Sequence, residues 1–231
     1  MIELSPLAIA AITLSLQVAS VAMIASLPVA IATAWILSRS RWPGLWLLNA
    51  LVHLPLILPP VVTGYLLLLG FGRNGPVGRL LEPLGITFAF QWTGAALAAA
   101  VMGFPLMVRA IRLAIEAVDP KLEEAAATLG AGPVNVFCTI TLPLIAPGIL
   151  AGAIMGFAKA MGEFGATITF VSNIPGRTQT LPSAIYSALQ IPGAEQQVVV
   201  LCAISVTLAI GAVFLSEWLT RRIARRIGGA L

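Results

Sequence analysis

Charged residues are scarce in this sequence. Only 10% of its 231 residues are Asp, Glu, Lys or Arg, whereas soluble globular domains carry about 25%. So few charges cannot cover a water-facing surface, which excludes an ordinary soluble domain. Hydrophobic residues make up 59% of the chain, and long apolar runs are typical of a chain that is solvated by lipid. We therefore expect an all-α integral membrane protein.

The residues and motifs of common catalytic centres are also scarce or missing. The one histidine, His53, lies close to Pro55 at the start of an apolar run, which favours a packed or interfacial residue over a ligand. Cys138 and Cys202 form no CxxC pair and predict neither a metal site nor a disulfide framework. The chain has no GxxxxGK[ST] loop for phosphates and no HExxH motif for zinc. We expect no catalytic residue, no metal and no cofactor on this chain, which argues against an intramembrane enzyme.

One glycine-rich segment, GFGRNG at Gly70–Gly75, has the spacing of a dinucleotide fingerprint. Such a fingerprint needs a strand before it and a helix after it. This segment instead follows an apolar run that is long enough to cross a bilayer. We interpret it as a turn between two membrane spans.

Five apolar segments are long enough to cross a bilayer, which takes roughly 20 residues. Together they predict one transmembrane domain over residues 1–231, a bundle of about five helices. Because the first segment is longer than a perpendicular crossing needs, it should tilt or bend, with Pro28 as a candidate kink. Residues 116–147 would connect the third and fourth spans. The approximate bounds of the spans are Ala8–Leu37, Ala50–Phe71, Trp92–Ile115, Gly148–Val171 and Val198–Leu219.

The basic residues predict the orientation of these spans. Cytoplasmic ends are enriched in Lys and Arg, and a chain with its N-terminus outside and its C-terminus in the cytoplasm satisfies this rule best. The outer loops then hold Arg73, Arg79 and Arg177. The same bias explains the net charge of +4 without a nucleic-acid partner. The basic residues at the cytoplasmic ends would be Arg39, Arg41, Arg109, Arg112, Lys121, Arg221, Arg222, Arg225 and Arg226.

The fourth span carries a stripe of small residues and two charges. Lys159 and Glu163 are four residues apart, so on a continuous helix they share a face and can pair. Charges inside a span usually face a cavity or a partner. Two interpretations stay open, a lining of the translocation path and a structural ion pair. The small residues, which favour close helix packing, are Gly148, Gly152, Gly156 and Ala160.

A polar stretch, EEAAATLGAGPVNVFCTITLP at Glu123–Pro143, interrupts the apolar chain. The residues around its start predict a short helix. Asp119 and Pro120, just before the stretch, suit the cap and the first position of a helix, and Glu123 and Glu124 are favourable in the first turn.

A hinge should follow this helix. Gly130 suits the C-terminal position that needs a left-handed backbone. Gly132 and Pro133 would then start a second short helix that ends near Thr139. A polar helix pair held between two spans is suited to docking a soluble partner.

The same stretch resembles the EAA loop of ABC-importer permeases. The resemblance implies that the loop, including Glu123 and Gly132, docks into a cleft on a separate cytoplasmic ATPase and transmits its closure to the membrane helices. The positions that match the motif, at the spacing of the family, are Glu124, Ala125, Ala126, Gly130, Ile140, Leu142 and Pro143.

Four further stretches resemble the permease subunits of bacterial molybdate importers, and the similarity covers nearly the whole chain. It implies a non-catalytic, multi-pass subunit of the bacterial inner membrane. It also implies a homodimer, two copies of an ATPase that hold ATP and magnesium, and a periplasmic molybdate-binding protein. The cargo would be molybdate, with tungstate, sulfate or another oxyanion as alternatives. The stretches are HLPLILPPVVTGYLLL, FPLMVRAIRLAIEAVD, GEFGATITFVSNIPG and SEWL.

The outer segment Ser172–Gln197 would face that binding protein. It contains Arg177, which we interpret as a docking residue, and a predicted short helix over Pro182–Leu189. A secondary transporter is a remote alternative, since that class needs no ATPase and often shows inverted repeats with broken helices. Five spans and a loop for partner docking argue against it.

The orientation can be tested by thiol labelling of spheroplasts after both native cysteines have been changed to serine. A cysteine introduced at Ser5 or Gln179 should react with a membrane-impermeant reagent, because both positions are predicted to lie outside. A cysteine at Asn135 or Ala230 should stay unlabelled until the membrane is permeabilised. The reverse pattern would invert the orientation and move the EAA-like loop out of reach of a cytoplasmic ATPase.

Overall fold

A computed structural model gives the fold and describes residues 5–228, with no account of the side chains of residues 213, 215–217 and 219–228. Within this range the chain is helical and has no strand, which confirms the expected all-α class. Four helices are long and apolar enough to cross a membrane, and the number is five if a bent pair of helices counts as one span. Ala230, one of the labelling positions, lies outside the described residues, and the orientation of the termini stays a prediction.

Eleven α-helices occur in the described range, together with a 3₁₀ turn at Glu82–Leu84 and a π-helical turn at Phe137–Thr141. The first helix continues through Pro28, and the third predicted span and the short outer helix lie where the sequence indicated. The helices are α1 Pro6–Arg39, α2 Leu45–Ile57, α3 Pro60–Phe71, α4 Pro76–Leu81, α5 Trp92–Glu116, α6 Pro120–Thr128, α7 Pro133–Val136, α8 Leu142–Met161, α9 Gly165–Val171, α10 Leu181–Leu189 and α11 Glu195–Gly228.

Helices α1, α5 and α8 form the centre of the bundle, and small residues allow them to pack closely. A methyl group added at Gly156 would lie 2.5 Å from Sδ of Met107, and one added at Gly152 would lie 3.1 Å from the Met107 carbonyl oxygen. On α1, Ala19, Ala30 and Ala34 are fully buried. The small-residue stripe of the fourth span is therefore a packing surface for α5, as predicted.

Two buried clusters mark opposite ends of this bundle. The Phe170 cluster contains Val18, Ala19, Ala22, Leu67, Ala95, Ala96, Ala98, Ala99, Met102, Ala160, Ala166, Phe170 and Val171. The Ile115 cluster contains Ala30, Ala34, Leu37, Val52, Met107, Val108, Ile111, Ile115, Val118 and Ile145. Because α5 ends at Glu116 and leads directly into α6, the EAA-like loop lies at the end marked by the Ile115 cluster.

The predicted span Ala50–Phe71 is not one straight helix. It consists of α2 and α3, which are bent by 116° relative to each other. Leu58 and Pro59 form the break with extended backbone, because a residue that precedes a proline is disfavoured in the helical conformation and Pro60 follows Pro59. Since α2 packs on the Ile115 cluster and α3 on the Phe170 cluster, the broken pair runs from one end of the bundle to the other.

The fourth span, predicted over Gly148–Val171, also differs from one uninterrupted helix. The π-helical turn joins α7 to α8, so the chain is helical from Pro133 to Met161. The second loop helix, expected to end near Thr139, is therefore the beginning of the span. At its other end α8 stops at Met161, and the chain breaks at residues 162–164 before α9 begins.

The breaks in the second and fourth spans pack against each other. A methyl group added at Gly64 in α3 would lie 2.5 Å from the carbonyl oxygen of Ala166 in α9. One added at Gly165 would lie 2.8 Å from Cβ of Pro60. The N-terminal parts of α3 and α9 are therefore in contact, and glycine allows their backbones to touch.

A methyl group at this contact should destabilise the protein. Gly64→Ala places Cβ against the backbone of α9, and overpacking of this kind costs about 1–3 kcal/mol. Gly70→Ala is the matched control on the same helix, since no atom lies within 4 Å of its added Cβ. We expect the first change to lower the thermal unfolding temperature of the detergent-purified protein and the second to leave it level or raise it. Equal temperatures for both variants would contradict the close approach.

Candidate coupling site

The EAA-like loop begins with α6, and both ends of this helix are fixed as the sequence indicated. The Asp119 side chain accepts a hydrogen bond from the Lys121 amide at 3.0 Å, and Pro120 occupies the first position. Gly130 has a φ of 88°, in the left-handed region that favours glycine. Gly132 precedes α7 with extended backbone. The loop thus has caps and turns that define its backbone.

The outer face of this loop is exposed and carries large apolar side chains. No residue of α6 is fully buried. Leu129 is 89% exposed and Val134 is 77% exposed, and Glu124 and Ala125 are exposed beside them. Exposed apolar groups outside the lipid-facing spans, rimmed by polar residues, are typical of a protein-binding surface.

The two adjacent carboxylates of the loop have different surroundings. Glu124 is exposed, whereas the Glu123 side chain is only 17% exposed and accepts hydrogen bonds from Arg39 and Thr141. The sequence pointed to Glu123 but not to its partners, which are 84 and 18 positions away.

The remaining motif residues lie at the junction between the loop and the fourth span. Ile140 is in the π-helical turn, and Leu142 and Pro143 begin α8. Ile140 and Leu142 are half-buried, Pro143 is exposed and Ala126 on α6 is half-buried. The motif is therefore divided between an outer face on α6 and a junction with the membrane helix.

Lys159 and Glu163 form an ion pair, with 2.8 Å between Nζ and Oε2. The sequence predicted that both lie on one continuous helix, but α8 ends at Met161, between the two residues. Glu163, 2% exposed, lies in the break and accepts the amide hydrogen of Ala166 through Oε1 at 3.0 Å. Both of its carboxylate oxygens are therefore occupied, one by the lysine and one by the first turn of α9.

Arg177 lies at the opposite end of the bundle, where its exposed side chain lines an open cavity of about 820 Å³. Arg73, Asn74 and Gln91 line the same cavity, and Arg73 pairs with Glu82 at 2.9 Å. Sequence reasoning identified Arg177 alone. No local pattern could link it to Arg73, because the two are about 100 positions apart in the sequence.

Comparison with known proteins agrees with this architecture. Residues 26–228 match the family of the binding-protein-dependent transport system inner membrane component. The chain is 59% identical over 219 residues to the molybdenum transport system permease protein ModB of Escherichia coli (strain K12), covering 94% of this chain and 96% of that protein. Identity to ModB of Haemophilus influenzae is 55% over 221 residues, with 95% and 96% covered. The sulfate transport system permease protein CysT of Escherichia coli (strain K12) is 36% identical over 228 residues, with 97% and 81% covered.

The fold has a solved counterpart in a bacterial ABC transporter that imports the acidic polysaccharide alginate. The two superpose with a TM-score of 0.75 at 20% identity, over 95% of this chain and 81% of that one. The fold is thus that of an ABC-importer permease. The chain belongs to the family of binding-protein-dependent transport system inner membrane components and is a multi-pass protein of the inner membrane.

Loss of the Glu163 charge should destabilise the fold. Glu163→Gln leaves Lys159 without its counter-charge at the break, and we expect about 1–2 kcal/mol of lost stability, since hydrogen bonds to charged groups contribute more than neutral ones and Lys159 is partly exposed. Glu82→Gln in the exposed Arg73 pair is the control and should cost less than about 0.5 kcal/mol. Thermal unfolding of the purified variants measures both. If the Glu163→Gln protein is as stable as the control, the Lys159–Glu163 pair does not stabilise the break between α8 and α9.

Proposed function

We propose that this chain is the membrane-spanning permease subunit of an ATP-driven importer that carries molybdate across the inner membrane. The main support is the identity of 59% over 94% of the chain to a protein named as a molybdenum transport permease. The capped, exposed helix between the third and fourth spans provides the place where a separate ATPase would act.

The chain itself would be non-catalytic. Its sequence holds no phosphate-binding loop, so ATP and magnesium would be bound by the partner ATPase. We propose a homodimer that receives two ATPase subunits, with one α6 docked into a cleft on each. Closure of the ATPases around ATP would move the two loops together and turn the permease dimer toward the outside, a rigid-body transition of a common kind.

Delivery of the cargo would take place at the end of the bundle with the 820 Å³ cavity. We propose that a periplasmic binding protein docks there and that Arg177 contacts acidic groups on its surface. A basic side chain on the rim of an open recess would favour association by complementary charge, whereas the charge of Arg73 is already paired with Glu82.

The path itself should bind the oxyanion weakly. A tetrahedral dianion held by several formal charges would not be released, so hydroxyl and amide donors suit the pathway better. For Lys159 and Glu163 we favour the structural interpretation over the translocation path. The support is that Glu163 is buried and both of its carboxylate oxygens are occupied within the fold.

A sulfate permease is the second candidate, supported by the 36% identity to CysT. Uptake by the complex of permease, ATPase and binding protein, reconstituted in vesicles, separates the two. Radiolabelled molybdate should accumulate with ATP, tungstate should compete, and sulfate should compete poorly. Transport of sulfate as fast as molybdate at equal low concentration would replace the proposed cargo, and uptake without the ATPase would indicate a secondary transporter.

A change in the hinge of the loop should stop this uptake. Gly130→Val forces a side chain into the left-handed region, which costs about 1–2 kcal/mol for a residue with a Cβ and more for a branched one. We expect the variant to reach the membrane but to transport no molybdate. Gly85→Val controls for the backbone strain alone, because Gly85 has a φ of 71° and equally open surroundings, so both variants should reach the membrane at the same level. Normal uptake by the Gly130→Val protein would contradict the docking role of the loop.

A further inference from the structure

We propose that Arg39, Glu123 and Thr141 form a joint that transmits the movement of α6 into the membrane helices. Glu123 is then a positioning residue whose role differs from that of its neighbour Glu124. This inference rests on the proposed function, since it assumes that a partner ATPase moves α6. We refer to the three residues as the Arg39 joint.

One carboxylate oxygen is at the centre of the joint. Oε1 of Glu123 accepts a hydrogen bond from Nη2 of Arg39 at 3.2 Å and another from Oγ1 of Thr141 at 2.7 Å. On a helix that has no fully buried residue, this side chain is directed into the bundle and is 17% exposed. Charge-assisted hydrogen bonds are strong and directional, so Glu123 holds α6 in a defined orientation.

Arg39 extends the joint to two membrane spans. It is the last residue of α1, and its Nη2 also lies 3.3 Å from the carbonyl oxygen of Ile115 and 3.5 Å from that of Val118, at the end of α5. Carbonyl groups at a helix C-terminus carry partial negative charge and attract a cation. The guanidinium therefore connects the ends of α1 and α5 to α6.

Thr141 extends the joint to the fourth span. It is fully buried in the π-helical turn that continues into α8. The ring of Phe137, at the start of this turn, packs edge-on against Trp35 of α1 with 4.9 Å between centroids, and Arg39 lies over the same Trp35 ring. Single π-helical turns occur often at functional sites, and this one lies where the loop meets the span.

Arg39 and Glu123 can form a second hydrogen-bonding arrangement. Nε of Arg39 is buried and has no acceptor among the described residues, while Nη2 on the same side of the guanidinium already contacts Glu123. An arginine can hold a carboxylate with two parallel hydrogen bonds. When α6 shifts, both oxygens of Glu123 can engage Nε and Nη2, and the ends of α1 and α5 then follow the carboxylate.

The test uses the complete importer. It asks whether a variant can still bind the ATPase while ATP hydrolysis is no longer coupled to molybdate uptake. Glu123→Gln and Thr141→Val each weaken the joint, and Glu116→Gln is the matched control, because the Arg112–Glu116 pair is exposed and lies within α5. Glu124→Lys tests the docking of α6 to the ATPase and should reduce the amount of ATPase that co-purifies. For each variant we would measure the ATPase that co-purifies, the thermal stability, the stimulation of ATP hydrolysis by molybdate-loaded binding protein, and molybdate uptake.

We expect Glu123→Gln and Thr141→Val to co-purify with the ATPase at the level of the parent protein, while stimulation and uptake fall by about fivefold to tenfold, within the range of about twofold to thirtyfold for residues that carry coupling between sites. The amount of molybdate carried per ATP hydrolysed should fall as well. A merely structural role would lower stability and co-purification in parallel with uptake and leave that ratio unchanged. Glu116→Gln should behave like the parent protein.

Two results would overturn the joint. One is a Glu123→Gln protein with normal stimulation and uptake. The other is a Glu123→Gln protein that loses the ATPase as completely as Glu124→Lys does, since Glu123 would then belong to the docking surface. If Glu124→Lys instead retains the ATPase in full, the docking proposal fails, and this outcome is distinct from a failure of the joint.

Discussion

Inside a bilayer the backbone has to satisfy its own hydrogen bonds, because no water is present to replace them. This constraint determines how the chain can leave the helical conformation within its second and fourth spans. The breaks lie against each other, with Gly64 close to Ala166 and Gly165 close to Pro60. Glu163 accepts the Ala166 amide at the start of α9, and two prolines remove donors at the other break. The two interruptions thus pack against each other, although Pro59 and Pro60 remain exposed on the single chain.

The few charges of this chain are concentrated at helix ends. Two of its ion pairs are substantially buried, Arg39–Glu123 and Lys159–Glu163. The first lies where α1, α5 and α6 meet, and the second lies where α8 gives way to α9. A charge that is withdrawn from water is stable only with a partner and further hydrogen bonds, so each pair restrains the geometry of its junction. The buried ion pairs thus fix the orientation of helices at two junctions, while Gly and Ala allow close helix packing elsewhere.

Much of this organisation could be predicted from the sequence, and the failures have physical causes. Composition predicted the membrane class, and local cap signals predicted α6, because Asp119, Pro120 and Gly130 act on their immediate neighbours. The bend at Leu58 was missed, although consecutive prolines indicate it, because hydropathy averages over the break. No sequence signature marks the π-helical turn. Contacts such as Arg39 with Glu123 join residues 84 positions apart, and only the assembled bundle brings them together.

The π-helical turn joins the second part of the loop to the fourth span, and together they form one continuous helical rod of 29 residues, from Pro133 to Met161. At about 1.5 Å per residue its length is about 43 Å. If the rod tilts by about 10° around its loop end, the far end beside Glu163 moves by about 7 Å, which exceeds the helical pitch of about 5.4 Å. A small angular change at the loop end would thereby become a large displacement at the break, because the helix between the two is long.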